Sequence, residues 1–172
     1  MNTLQAALLT VFPVLVIVAA LTDISSFTIP NRISALLIAA FFPAALVLAR
    51  PFGEVGMDLA VCAAALLAGM GMFAAGWIGG GDAKLLAAVS LWLGWSALPF
   101  FLLVTALAGG GLALMLLNVR SSLLRPYLSA GPGWLTRLTT PGADVPYGVA
   151  IAVGALAAFP QSSLMHAFHG IF

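Results

Sequence analysis

Two aspartates, Asp23 and Asp82, stand where a hydrophobic chain has most to lose by carrying charge. Only five acidic side chains occur in the sequence, Asp23, Glu54, Asp58, Asp82 and Asp144, so each can be weighed in turn. Asp23 closes the first apolar run, in Thr22-Asp23-Ile24-Ser25-Ser26-Phe27-Thr28-Ile29-Pro30-Asn31. Asp82 opens the fourth, in Gly79-Gly80-Gly81-Asp82-Ala83-Lys84. Ionisable groups at membrane depth are costly and usually mark a function. Two carboxylates brought within hydrogen-bonding reach cannot both ionise cheaply, so one keeps a proton while the other is charged. That state suits acid–base peptide hydrolysis. The ionised member takes a proton from water and the protonated one polarises a carbonyl, with no acyl-enzyme and no metal. No rival constellation is present. His166 and His169 are spaced like metal ligands but have no cysteine or carboxylate beside them, and they read as interfacial histidines. Neither a metal nor another cofactor is expected.

The elements that must position these residues follow from composition. Of 172 residues, 63% are hydrophobic and 6% are charged, against about 25% charged in an ordinary soluble domain. Too few polar residues remain to wrap a soluble core, and apolar runs long enough to cross a bilayer recur along the chain. The expected fold is all-α: a polytopic bundle of about six transmembrane helices, with residues 1–172 forming one membrane domain. The spans are expected at Leu4–Thr22, Ile33–Ala49, Met57–Ile78, Ala83–Trp95, Leu98–Val119 and Tyr147–His166, with Pro99 marking the turn after the short fourth span. No cation precedes Arg32, so the first run reads as a permanent helix rather than a secretory signal. The net charge of +1 and the lack of a basic patch exclude nucleic-acid binding. The lone Cys62 can form no internal disulfide and reads as a small buried apolar residue.

With six spans the loops alternate sides. One side receives Arg32, Lys84, Arg120, Arg125 and Arg137, and the other only Arg50. Cationic loops stay in the cytoplasm, so both termini should face the exterior and both Asp23 and Asp82 the cytoplasmic boundary. Glu54 and Asp58 fall on the far side and are expected to be dispensable. Asp144 joins the cytoplasmic side, where a solvated loop charge is the plain reading and Asp144→Asn should be mild. The long connection from Arg120 to Asp144, rich in Gly, Pro, Ser and Thr, reads as a linker or an interfacial flap.

Singly, these features are modest. Asp23 reads equally as a helix-end residue, Lys84 as a cytoplasmic anchor, and Gly79–Gly81 as a turn that would also let a substrate backbone approach Asp82. Gly109–Gly111 read as a site of close helix packing. Together, Asp23 followed by Ile29-Pro30-Asn31, Gly79-Gly80-Gly81-Asp82 with Lys84, and Pro146-Tyr147-Gly148 opening the last span make the chain resemble the type IV prepilin leader peptidases, of the GxGD class of membrane aspartic peptidases. The resemblance runs from Asp23 to about Gly154.

The resemblance implies that Asp23 and Asp82 are the catalytic pair. They would remove the short basic leader from prepilin or pseudopilin precursors at the cytoplasmic face of the inner membrane. Pro30, Asn31, Gly79, Gly80, Gly81, Lys84, Pro146, Tyr147 and Gly148 would support the site. Pilus assembly machinery joins the precursor and the lipid bilayer as an implied partner. Val149 stands where many relatives place another proline, and no role is carried to it. Longer members carry a cysteine-paired cytoplasmic insert after the first helix and also methylate the new N-terminus. Here about ten residues join Asp23 to Ile33 and no cysteine pair exists, so neither methyl transfer nor zinc is expected. The compact form is similar to the peptidases of tight-adherence (Flp-type) pilus systems and of archaeal pilin processing. A small transporter or channel with Asp23, Asp82 and Lys84 along a polar path, and a non-catalytic secretion-system component, are the alternatives.

Overall fold

The computed structural model describes residues 3–121, 133–140 and 142–169. Among them every regular element is helical: α1 (Thr3–Ser26), α2 (Asn31–Val47), α3 (Phe52–Ala74), α4 (Gly80–Ser121), α5 (Gly133–Thr139), α6 (Tyr147–Ala158), a 3₁₀ turn (Phe159–Gln161) and α7 (Ser163–His169). Lipid offers no partner for backbone polar groups, and a helix satisfies them within itself. Four stretches are long and apolar enough to cross a membrane: α1, α3, α4, and Tyr147–Phe168, which runs through α6 and α7. The 17-residue α2 is a shorter apolar helix. The chain is a multi-pass membrane protein. Leu21, Leu46, Leu67, Leu107 and Leu114 lie exposed on its outside, where acyl chains would meet them.

The 42-residue α4 is two helices in effect. Gly94 breaks it with φ 67° and ψ −176°, a conformation open essentially only to glycine. Contacts on either side show that the chain reverses there. Gly69 of α3 lies against Ala83, and Asp58 of α3 reaches Gly94, so the first arm, residues 80–93, runs antiparallel to α3. Beyond Gly94, Phe101 and Thr105 meet Gly154, while Gly109 meets Tyr147 and Ala150, so the second arm returns to the starting end. Six apolar segments therefore alternate in direction, as expected. The turn, however, sits five residues before Pro99. That proline lies inside the second arm near its start, where it forfeits little backbone bonding. A positive-φ glycine reverses the chain more sharply than a proline can.

The short fourth segment proves to be the centre of the bundle. Residues 85–93 are buried on every side, which explains a run apolar all round. Trp92 is fully buried against Phe12 and Phe41, and its indole N–H donates to the Leu37 carbonyl at 2.8 Å. Small residues let the surrounding helices close in. A Cβ on Gly69 would lie 3.1 Å from Ala83, and one on Gly154 would lie 2.9 Å from the Phe101 carbonyl. Of the run at 109–111, only Gly109 packs this closely. Gly110 and Gly111 have open space beside them.

The two ends of the bundle differ in charge. Arg32, Lys84, Arg120 and Arg137 gather at the end that holds Asp23 and Asp82, and Arg50 lies at the other; Arg125 lies outside the described residues. Asp58 does not behave as a spare far-side charge. Its carboxylate takes a 2.7 Å bond from the Arg50 guanidinium, with side chains only 3% and 4% exposed, and Ser163 Oγ donates to it at 3.3 Å. Glu54 adds a charge contact to Arg50 Nε at 3.4 Å, without hydrogen-bond geometry. This clasp ties the α2–α3 turn, α3, the Gly94 reversal and α7 together. The expectation that Asp58 is dispensable gives way to a structural role, because a buried carboxylate needs its counter-ion.

Candidate active site

Asp23 opens the last turn of α1, on the buried stripe formed by Phe12, Val16 and Ala19, and is 5% exposed. The Gly148 N–H donates to its Oδ2 at 2.7 Å. Gly148 is the second residue of α6, where an amide has no partner within the helix and points outward. That amide and the positive end of the helix hold a carboxylate well. A side chain at 148 would spoil the contact, since a Cβ there would lie 2.8 Å from both Asp23 Oδ2 and Ile29 Cδ1.

Asp82 lies in the first turn of α4 and bonds back to the residue before the helix. The Gly79 N–H donates to Asp82 Oδ2 at 3.1 Å, the arrangement of a capping box. The glycines here serve the protein's own packing. A Cβ on Gly79 would lie 2.9 Å from Asp82 Oδ2, and one on Gly81 would lie 3.2 Å from Ile29, whereas Gly80 meets the Phe73 ring at an ordinary 3.5 Å. Close packing is thus one use of Gly79 and Gly81, and all three glycines line a cavity with the aspartates.

The two aspartates share two cavities. One, of about 240 Å³, is lined by Asp23, Phe27, Trp77, Asp82, Asp144 and Tyr147, with Gly76, Ile78, Gly79 and Val145. The other, also about 240 Å³, is lined by both aspartates, Phe27, Thr28, Ile29, Asn31 and Gly79–Gly81. Lys84 stands outside both and donates from Nζ to Asn31 Oδ1 at 2.9 Å, fastening the start of α2 to α4. Pro30 is exposed and caps α2, turning the chain after the buried Ile29. Pro146 is buried and caps α6, placing Tyr147 at the cavity and Gly148 on Asp23. Three stretches far apart in sequence therefore meet at one place.

Phe27, Trp77, Ile78 and Val145 also line the site, and sequence reasoning passed over them. Nothing in their spacing marks them, but Phe27 has a backbone signature: φ is 55°, a left-handed position that bulky residues rarely take. The connection after α4 includes α5, a short helix rather than plain linker, and Arg120 binds that region. Its Nε donates to the Leu138 carbonyl at 2.9 Å and its Nη2 to the Asp144 carbonyl at 3.1 Å. Another cavity, about 500 Å³, lies at the opposite end against Arg50, Glu54, Ser96 and His166. It offers a single carboxylate and a cation already paired with Asp58, which is no basis for acid–base hydrolysis. Among the described residues, no three His, Cys, Asp or Glu side chains are grouped to hold a metal ion.

Chemically, the site offers two carboxylates from different helices lining the same two cavities, each with one oxygen steadied by a backbone amide. Such a pair can pass protons to and from a water molecule and a carbonyl.

Comparison with known proteins points the same way. The chain is 39% identical over 66 residues to a "Prepilin leader peptidase/N-methyltransferase" of Aeromonas hydrophila, covering 36% of this chain and 23% of that protein. It is 47% identical over 58 residues to the protein of that name from Pectobacterium carotovorum subsp. carotovorum, covering 34% and 20%. With that of Burkholderia pseudomallei (strain K96243) it shares 55% over 38 residues, covering 22% and 12%. The aligned part thus spans less than a quarter of each relative. No solved structure matches the chain. The type IV leader peptidase family matches residues 10–114, more than half of the 172, and both aspartates fall inside that stretch: the chain belongs to this family.

Proposed function

We propose that the chain is a membrane-embedded aspartic endopeptidase that removes the leader from prepilin-like precursors, of the Flp-type pilin or pseudopilin kind. The observation that carries this reading is the shared cavity of Asp23 and Asp82, built from the ends of α1 and α4. The ionised member of the pair takes a proton from water as it attacks the scissile carbonyl. The protonated member donates to the carbonyl oxygen and recovers that proton as the tetrahedral intermediate collapses, while the proton taken from water passes to the leaving amine. Holding one oxygen of each carboxylate on an amide of Gly79 or Gly148 keeps the other free to turn toward substrate. Gly79–Gly81, Tyr147 and Asn31 form the walls, while Pro30, Lys84, Pro146 and Gly148 fasten the strands of chain that bear them.

The orientation proposed is that of an inner-membrane protein with this site at the cytoplasmic face and the termini of the bundle outside. The gathering of Arg32, Lys84, Arg120 and Arg137 at the site's end supports it. A precursor's own hydrophobic helix would then lie in the bilayer with its leader reaching this end, and pilus assembly machinery would receive the product. Only residues 27–30 link α1 to α2, so the proposed activity is peptide cleavage alone. Polar and charged groups gathered at the two ends, rather than midway along the bundle, speak against a transport path.

The test is co-expression of Asp23→Asn and Asp82→Asn with an Flp-type precursor, following leader removal by gel shift. Each variant should lose about 10²–10⁴-fold in rate while accumulating normally in the membrane. Cleavage at the wild-type rate by either one would remove the aspartic mechanism.

A further inference from the structure

Beside the cavity that holds both aspartates lies a third space of about 250 Å³, lined by Phe27, Arg137, Thr140, Ala143 and Asp144. Phe27 and Asp144 belong to both linings, so the two spaces meet at them. Asp144 is exposed, and among the described residues no donor bonds its carboxylate and no cation stands within 4.0 Å of it. The residue is nonetheless held in place. Arg120 spends its guanidinium on the carbonyls of Leu138 and Asp144, and the buried Pro146 follows two residues later. A fixed carboxylate thus stands at the rim of the site with no counter-ion among the described residues.

Phe27 adds a second, independent observation. It ends α1 at φ 55°, its N–H bonded to the Asp23 carbonyl at 2.8 Å, where glycine is the usual residue. A bulky side chain in that conformation is strained, and such strain persists where the side chain itself is wanted. The ring borders all three spaces around the aspartates.

We propose that Phe27 and Asp144 form a subsite for a cationic side chain, lysine or arginine, borne by the substrate close to the scissile bond. This rests on the peptidase reading above. The aromatic face covers the methylene stem and attracts the cation, and the carboxylate takes the charged head. Arg137 lines the same space, and its like charge confines the incoming cation to the Asp144 side.

The test uses the purified full chain in detergent and single-helix precursor peptides that differ at one position. Lysine, methionine or glutamate is placed in turn at each residue flanking the scissile bond. At one position the wild type should prefer lysine over methionine by about fivefold in kcat/KM, carried by KM. Asp144→Asn should bring that ratio to about one, Arg137→Gln should raise it, and Asp144→Lys should favour glutamate instead. Phe27→Gly should raise thermal stability by relieving the backbone and yet lower the lysine preference, a combination that a purely structural residue would not give. A wild type that cleaves lysine and methionine peptides alike at every position overturns the subsite and leaves the peptidase reading standing. A lysine preference that survives Asp144→Asn does the same. Failure to cleave any peptide sinks both.

Discussion

Replacing Gly148 by alanine tests the construction of the site without touching either aspartate. The new Cβ would lie 2.8 Å from Asp23 Oδ2, 2.8 Å from Ile29 Cδ1 and 3.1 Å from Asp23 Cβ, where ordinary contacts begin at 3.4 Å. The carboxylate must therefore retreat by roughly half an ångström or more, and the 2.7 Å amide bond that holds it is stretched or lost. Crowding a packed interior costs about 1–3 kcal/mol, and a hydrogen bond to a charged group contributes about 1.5–3 kcal/mol. Displacing a reacting group by about 1 Å costs on the order of 10²-fold in rate. We expect Gly148→Ala to slow leader removal about 30- to 100-fold, with kcat falling more than KM rises. The companion Gly110→Ala, with nothing within 4 Å of its Cβ, should keep wild-type kinetics and gain up to about 1 kcal/mol from helix propensity. Initial rates on a fluorescent precursor peptide in nanodiscs, with thermal unfolding of both variants, would decide. Wild-type kcat in Gly148→Ala would refute the reasoning, because it would mean that the amide contact positions nothing.

Asp58→Ala should destabilise the bundle by about 3–5 kcal/mol, because it strands the buried Arg50 guanidinium. The double variant Arg50→Met, Asp58→Leu should lose much less, and equal melting temperatures for Asp58→Ala and wild type in detergent would dismiss the clasp. Gly94→Ala combines a glycine-only backbone conformation with contacts of 2.6 Å to Asp58 Oδ1 and 2.7 Å to Ser163 Oγ. It should cost about 3 kcal/mol or more and sharply reduce the amount of folded protein in membranes, which quantitative blotting would measure; normal accumulation would count against a reversal at that residue.

Much of this protein was legible in the sequence because its solvent is lipid. A bilayer demands long apolar helices and drives charge to the two ends, so composition alone yields the helical class, the six segments and the sorting of cations. Scarcity did the rest for the site. With only five acidic residues, and Asp23 and Asp82 each at the boundary of an apolar run, these two stand out as candidates, and the resemblance carried by Ile29-Pro30-Asn31 and Gly79–Gly81 joins them as a pair.

What the sequence could not determine was how neighbouring side chains use one another's space, since contacts between distant segments leave no local pattern. The reversal at Gly94 rather than Pro99 depends on a positive φ that only the packed clasp of Asp58 and Ser163 reveals. Asp58 looks idle until Arg50 is seen buried against it. Gly148 becomes the seat of Asp23 only when α6 is laid beside α1, 125 positions away. Phe27 and Asp144 gain meaning only as shared walls of adjoining spaces. Hydrophobicity and charge are properties of residues and can be read along the chain. Hydrogen-bond partners, close approaches and cavities belong to pairs and groups of residues, and only the tertiary structure decides them.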